Sequence, residues 1–203
     1  MKKLIAIALC AVMCLSLFSC VTGEAGEEGK SVTAGEYDGN PTIAFQNSRE
    51  TLSPTTCAID NGILYMNSYD GYNYFIYSQI FTSYDEWEEV ADKIGLTSYD
   101  RSFFEENALV VVEADNGWYS NTWECNGATY KTLELEAIAV VDGSICPILK
   151  ITHRDPPIIS TSAICEWFMT AEVAKADIEG YELGEVTVEL NIVMVETESE
   201  TEE

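Results

Sequence analysis

The feature that most restricts the fold is an alternation of polar and apolar side chains near the C-terminus, in residues 185–195 (EVTVELNIVMV). Successive residues of a β-strand point to opposite faces, so this period of two predicts a strand with one buried face. The residues on that face are Val186, Val188, Leu190, Ile192 and Met194. A sheet with an apolar face has to bury it against a second layer, and the chain should therefore fold around a layered β-sheet.

Five further segments have the composition of strands, because they are rich in aromatic and β-branched residues or continuously apolar. They are NYFIYSQIF (73–81), ALVVVEA (108–114), TYKTLELEAIAVV (129–141), SICPILKIT (144–152) and ICEWFMTAEV (164–173). Between the second and third of them, residues 115–127 (DNGWYSNTWECNG) are expected to form a loop. Most of the chain is thus predicted to be strand, with short connections.

One pair of these strands is predicted in detail. Asp142-Gly143 is a two-residue turn of the kind that closes a β-hairpin, and it places Val141 opposite Ser144. Pro147 lies in the returning strand, where its missing N–H predicts an edge position or a bulge.

A single helix is predicted after residue 83. Ser83 as N-cap and Glu86 three residues later form a capping box, and Gly95 marks the end. The apolar stripe consists of Tyr84, Trp87, Val90, Ala91 and Ile94. The predicted fold class is α+β and mostly β: a single antiparallel-sheet domain (sandwich or open barrel-like) over residues 41–195, with one packed α-helix.

The N-terminus is typical of an export signal, here residues 1–19, because two lysines precede an apolar stretch that is shorter than the roughly 20 residues a membrane-spanning helix needs. Leu17, Ser19 and Cys20 fit a bacterial lipobox, which predicts a diacylglyceryl group on Cys20. We therefore expect a lipid-anchored protein of the cell envelope, on the extracytoplasmic face of a bacterial membrane. An ordinary signal peptide, in which the cysteines are merely small apolar residues, is the alternative.

Charge limits the partners of the chain, which has 35 acidic residues against 10 lysines and arginines and a formal net charge of −25. Such a field repels phosphate, so nucleic acid is excluded as a partner. Residues 20–40 are expected to be the lipid anchor and a flexible acidic tether, and residues 196–203 a disordered acidic tail.

Four cysteines fall in the predicted domain, and in an exported protein they allow up to two disulfides or a set of buried free thiols. They are Cys57, Cys125, Cys146 and Cys165. A zinc site needs ligand pairs at short spacing, which these cysteines lack. Neither a metal nor a cofactor is predicted.

Residues 102–114 (SFFEENALVVVEA), residues 160–180 (STSAICEWFMTAEVAKADIEG) and the hairpin between them resemble the C-terminal domain of the PrcB family of bacterial lipoproteins and exported proteins. The resemblance extends over residues 79–193. It implies a β-rich domain that assembles with a surface protease. Where family members often carry a Gly/Ser-rich turn, this chain has Asp115-Asn116-Gly117-Trp118-Tyr119, which puts the identity of the partner in doubt.

Aromatic residues in polar segments are the candidate contact residues, because exposed rings can hold a protein patch or a sugar face. They are Tyr72, Tyr74, Trp118, Tyr119 and Trp123. The structural alternative is that these rings cover the sheet or form cross-strand pairs.

No motif of a serine hydrolase or a zinc protease occurs in the chain. We therefore expect a non-enzymatic accessory lipoprotein that binds another envelope protein, such as a subunit that stabilises an exported protease. A carbohydrate-binding lipoprotein that uses the same aromatic loops is the alternative. An enzyme with a carboxylate pair is a third hypothesis, but abundant acidic residues make such a pair uninformative in sequence.

Overall fold

The computed structural model describes residues 29–53, 63–66, 73–94, 96, 98–115, 122–155 and 166–195. The strands are β1 (Lys30–Val32), β2 (Glu36–Tyr37), β3 (Asn40–Pro41), β4 (Phe45–Ser53), β5 (Ile63–Met66), β6 (Asn73–Phe81), β7 (Asn107–Asp115), β8 (Thr122–Cys125), β9 (Ala128–Lys131), β10 (Leu133–Val141), β11 (Ser144–Asp155), β12 (Glu166–Ala174), β13 (Glu182–Leu183) and β14 (Thr187–Met194). The helices are α1 (Tyr84–Ile94), α2 (Phe103–Glu106) and α3 (Lys175–Ile178). The prediction of a mostly β, α+β fold is confirmed.

The larger sheet has six strands in the order β1-β4-β12-β7-β6-β5, and every neighbouring pair is antiparallel. Its centre is β7, which is apolar on both faces, as a strand covered on both sides should be. Val110 and Val112 belong to one core and Leu109 and Val111 to another, and all four are fully buried. This sheet is therefore the middle layer of the domain.

The second sheet is built on the β10–β11 hairpin, with β13 and β14 beside β11. The hairpin register places Val141 opposite Ser144, as the Asp142-Gly143 turn predicts. The strands β13 and β14 run parallel to β11 and are the exception to the antiparallel pairing of the other described strands. Alternation in sequence identifies a strand but does not determine the direction of its neighbour.

The two sheets face each other across the main core, which corresponds to the sandwich form of the prediction. Phe45, Ile76 and Met169 of the six-stranded sheet and Leu135 and Leu149 of the smaller sheet all lie in this core. All five are at most 1 % exposed. Burying such side chains contributes roughly 1.5–3 kcal/mol each before entropic costs, so this core dominates the stability of the domain.

The helix α1 covers the opposite face of the six-stranded sheet and forms the third layer. Its N-terminus is capped as predicted, since the Glu86 N–H donates to Ser83 Oγ at 3.4 Å. The Glu86 carboxylate in turn accepts from the Thr82 N–H at 3.4 Å, one residue earlier than a capping box requires. Trp87 is fully buried and meets Phe81 edge to face, with ring centroids 5.2 Å apart.

Pro147 was expected at an edge or a bulge, yet β11 lies between two neighbours. The parallel pairing of β11 with β13 stops at Ile145, and its pairing with β14 begins at Ile148. Pro147 thus lies in the gap between the β13 and β14 pairings, where its missing backbone N–H leaves no hydrogen bond unmade.

The predicted flexible tether, residues 20–40, requires a correction. Residues 30–32 form β1, which pairs with β4, and residues 36–41 form the β2–β3 hairpin. Lys30 Nζ also contacts carboxylate oxygens of Glu134 at 2.9 Å and Glu136 at 3.6 Å. The Gly- and Glu-rich composition concealed these strands because each is only two or three residues long. The folded domain therefore includes residues from Lys30 onward.

Candidate functional site

The structure describes part of the predicted aromatic contact region. Trp123 lies in β8 and is half-buried. Tyr74 lies in β6, where its backbone pairs with Tyr65 of β5. The other predicted contact residues, Tyr72, Trp118 and Tyr119, lie outside the described residues. The candidate site is therefore built here around Trp123.

Trp123 belongs to a separate two-stranded hairpin of β8 and β9. The residues of β8 were predicted to be a loop, and most of β9 was predicted to be the start of one long strand over residues 129–141, which the structure divides into β9 and β10. Its turn is Asn126-Gly127, with φ values of 51° and 76°. Two successive positive φ values are the geometry of a type I′ turn, and Asn-Gly is its preferred sequence. The Asn-Gly pair within residues 115–127 is thus the signal that would have revealed this hairpin.

The two faces of the β8–β9 hairpin differ in chemistry. Trp123 pairs with Tyr130 and Cys125 with Ala128, which gives one apolar and aromatic face. The opposite face is polar and consists of Thr122, Glu124, Thr129 and Lys131. A sheet with a single aromatic face is suited to contact on that face.

Trp123 and Tyr130 are stacked across the hairpin. Their ring centroids are 4.6 Å apart and their planes meet at 21°. For Trp123 the structure therefore shows a cross-strand pair, the structural alternative considered for these residues. Both rings are half-buried, so each keeps part of its surface in contact with solvent. We call this pair the aromatic stack.

For two of the four cysteines the structure shows the free-thiol alternative. Cys125 and Cys146 are free thiols, whereas Cys57 and Cys165 lie outside the described residues. Burial, reinforced by the negative charges of Glu185 and Asp142, raises the pKa of the Cys146 thiol above its ordinary value. A neutral, partly buried thiol is a poor nucleophile, which is the behaviour of a structural cysteine.

A polar network on the outer face of the smaller sheet was not anticipated from the sequence. Tyr37 Oη donates to Glu189 Oε2 at 3.0 Å and connects the β2–β3 hairpin to β14. Desolvation by burial, together with the hydrogen bond to Glu189, raises the pKa of Tyr37. Tyr37 and Glu189 are far apart in the sequence, so no local sequence pattern predicts their hydrogen bond.

Three buried side-chain atoms have no hydrogen-bond partner within the part of the chain that the structure describes: Trp87 Nε1, Arg154 Nε and Thr170 Oγ1. Thr170 lies in β12 and is fully buried. Glu113 of β7 is 1 % exposed and faces Phe168 of β12 and Tyr77 of β6. An unsatisfied hydroxyl at such depth costs about 1–3 kcal/mol.

Neither a metal site nor a membrane span is found within the described ranges. No group of three or more His, Cys, Asp or Glu side chains there is placed to hold a metal ion. No helix there combines the length and the hydropathy needed to cross a membrane. Cys20, the predicted site of lipid attachment, lies outside these ranges.

Comparison with known proteins gives no match: no protein-family model, no curated protein and no solved structure is similar to this chain.

Proposed function

We propose that this chain is a non-enzymatic accessory lipoprotein that is anchored through Cys20 and binds another protein of a bacterial envelope. The observation that carries the proposal is the aromatic stack of Trp123 and Tyr130 on the β8–β9 hairpin. Tryptophan and tyrosine are the residues most enriched at the energetic centres of protein interfaces. Their partial exposure here leaves ring surface available to a partner.

The geometry of the stack suits binding because each ring limits the movement of the other. Side chains that are already ordered lose less entropy on association, and this loss otherwise costs about 0.5–1.5 kcal/mol per side chain. The turn at Asn126-Gly127 holds both strands of the hairpin in register. The stack is thus a preformed contact rather than one assembled on binding.

An exported protease is the partner we propose, on the basis of three sequence features. Residues 102–114 and 160–180 resemble the PrcB family, whose namesake subunit assembles with a surface protease. Residues 118 and 119 place two more aromatic side chains shortly before the hairpin in the chain. The net charge of −25 favours a partner with a basic contact surface.

The test is affinity purification of the tagged full chain, extracted from its own envelope in mild detergent. We expect one protease to be enriched with the unmodified chain and to be lost with the Trp123→Ala/Tyr130→Ala variant. The matched control is Tyr181→Ala, which removes a tyrosine that is 42 % exposed elsewhere on the domain. Equal enrichment with all three proteins would contradict a role for the aromatic stack.

A carbohydrate-binding lipoprotein is the second candidate, and the near-parallel rings of the aromatic stack favour it. The exposed part of a flat aromatic ring is suited to contact the face of a sugar ring. Binding of the full chain to a glycan array, lost with Trp123→Ala, would support this candidate. Absence of binding across neutral and acidic glycans would exclude it.

A further inference from the structure

The strand β14 forms an open edge of the smaller sheet. All eight of its residues pair with β11, from Ile148↔Thr187 to Asp155↔Met194, without a register shift. Within the described ranges no strand pairs with its other side. An edge of this kind presents backbone donors and acceptors to any extended chain that can reach them.

The other sheet edges of the described structure are short or covered. The strand β1 has three residues, carries Lys30 and contains a register shift, and β5 has four residues. The outer edge of β10 is covered, since the Ile43 N–H donates to the Ile138 carbonyl at 2.8 Å. Short strands, edge lysines, bulges and covering segments are the usual protections of a sheet edge.

The strand β14 is long, regular and free of lysine, and no strand among the described residues covers its outer side. Its sequence, TVELNIVM, contains no lysine, arginine, proline or glycine. Val188 and Leu190 pack against the main core, so the strand is held in place by its inner face. The strand β14 is therefore a long, regular edge that is ready for pairing.

The direction of the free backbone groups follows from one hydrogen bond. The Thr152 N–H donates to the Thr132 carbonyl at 2.8 Å, on the β10 side of β11. Successive residues of a strand direct their backbone groups to opposite sides, so Ile151 and His153 direct theirs to β14. In a parallel pair, a residue forms its hydrogen bonds with the two residues that flank its partner, and not with the partner itself. The partners of Ile151 and His153 are Leu190 and Ile192. The N–H and C=O groups of Leu190 and Ile192 are therefore not used by β11 and are directed outward.

Charge indicates what kind of chain fits this edge. Residues 182–203 contain eight glutamates and no lysine, arginine or histidine. Glu189 lies in the middle of β14, and an opposite charge directly across from it stabilises a strand pair by roughly 0.2–1 kcal/mol. A second copy would bring two such acidic segments together, which like-charge repulsion opposes.

We propose that the open edge of β14 binds an extended segment of a partner protein in which basic and apolar side chains alternate. This segment would add a strand to the four-stranded sheet, with its apolar side chains beside Leu190 and its basic ones beside Glu189. The inference deepens the proposed binding function, on which it rests, by naming the chemistry of one partner segment and a contact separate from the aromatic stack.

The experiment measures binding of a fluorescent peptide as long as β14, with strictly alternating lysine and valine, to the full chain in detergent micelles. The protein variant is Ile192→Pro, which removes an outward N–H and blocks the edge. Ile192→Val keeps that N–H and serves as the matched control. Circular dichroism establishes that each variant retains its sheet.

We expect Ile192→Pro to weaken peptide binding roughly tenfold or more, the effect of losing one or two hydrogen bonds, and Ile192→Val to leave it unchanged. The same peptide with methylated backbone nitrogens should also fail to bind. Hydrogen exchange should show new protection of the Leu190 and Ile192 amides when the unmodified peptide is bound. Because this assay contains no envelope extract and leaves the aromatic stack intact, its failure is distinguishable from failure of the affinity purification.

Any one of three results would overturn the inference. Equal binding of the methylated peptide, or equal binding by Ile192→Pro, would show that charge alone attracts the peptide. A full chain that sediments as a dimer and becomes a monomer with Ile192→Pro would show that a second copy occupies the edge. If Ile192→Pro does not fold, it is replaced by a semisynthetic chain in which the backbone nitrogen of Leu190 is methylated. The same outcomes apply to that chain.

Discussion

Gly184 passes so close to Cys146 that a Cβ atom on its backbone would lie 2.6 Å from the Cys146 sulfur. The same atom would be 3.1 Å from Cβ of Ser144. This close approach lets the Gly184 N–H donate to the Ile145 carbonyl at 2.8 Å, directly after β13 ends and shortly before β14 begins. The absence of a side chain at residue 184 therefore helps to place β14 beside β11.

Replacing this glycine should destabilise the domain. We expect Gly184→Ala to lower the free energy of unfolding by about 1–3 kcal/mol, because the added methyl group has no room. Adding Cys146→Ala should restore part of that loss by removing the nearest atom. Urea unfolding of both single variants and the double variant measures this coupling, and strictly additive losses would contradict it.

The hydrogen bond between Tyr37 and Glu189 predicts a dependence of stability on alkaline pH. The pKa of Tyr37 is raised in the folded state from its ordinary value of 10.0, so the folded protein holds the phenol proton more tightly than the unfolded chain does. This contribution to stability is complete below about pH 10 and is lost as the pH rises through the folded-state pKa. In urea titrations from neutral to alkaline pH, Tyr37→Phe should flatten this loss, and an unchanged loss in that variant would contradict the explanation.

Removing the buried hydroxyl of Thr170 should stabilise the protein. Thr170→Val keeps the shape of the side chain and eliminates an Oγ1 atom that has no partner among the described residues. We expect a gain of about 1 kcal/mol in the free energy of unfolding. Thr170→Ser keeps the hydroxyl and deletes a methyl group, so it should lower stability instead. A stabilising Ser variant, measured by the same urea titration, would contradict this explanation.

The turn at Asp142-Gly143 depends on the positive φ of 82° at Gly143. An alanine there adopts the left-handed region at a cost of roughly 1–2 kcal/mol, so Gly143→Ala should lower the thermal midpoint by several degrees. Gly35→Ala is the matched control, because its new Cβ would meet only Thr42 Oγ1 at an ordinary 3.8 Å. Equal midpoints for the two variants, measured by calorimetry, would contradict the importance of the turn geometry.

Lipid attachment at Cys20 predicts where the protein resides. Cys20→Ala should abolish incorporation of an alkyne-labelled fatty acid and release the protein from the membrane fraction, since anchoring requires acyl chains. Cys14→Ala, within the predicted signal, is the control and should leave labelling unchanged. Undiminished labelling of Cys20→Ala would favour an ordinary signal peptide.

Local signals in the sequence predicted local structure well. The helix α1 was predicted from Ser83, Glu86 and its apolar stripe, and the structure places it at Tyr84–Ile94. The register of the β10–β11 hairpin followed from Asp142-Gly143. In both cases the decisive interactions join residues only a few positions apart, so the sequence contains them directly.

Contacts between distant segments could not be predicted in the same way. The parallel pairing of β14 with β11 depends on the sheet as a whole, and the alternation in residues 185–195 is compatible with either direction. The stacking of Trp123 on Tyr130 required the Asn126-Gly127 turn, which the surrounding polar residues obscured. The short β1 strand is recognisable only through its pairing with β4.

The position of β12 has a consequence for how the protein folds. This strand comes late in the chain, yet it lies between β4 and β7 in the six-stranded sheet. Until residues 166–174 are available, β4 and β7 have no strand to join them, and the strands already synthesised cannot complete the core. Pairings over such sequence distances close slowly. The six-stranded sheet therefore cannot be completed until residues 166–174, near the C-terminal end of the chain, take their place between β4 and β7.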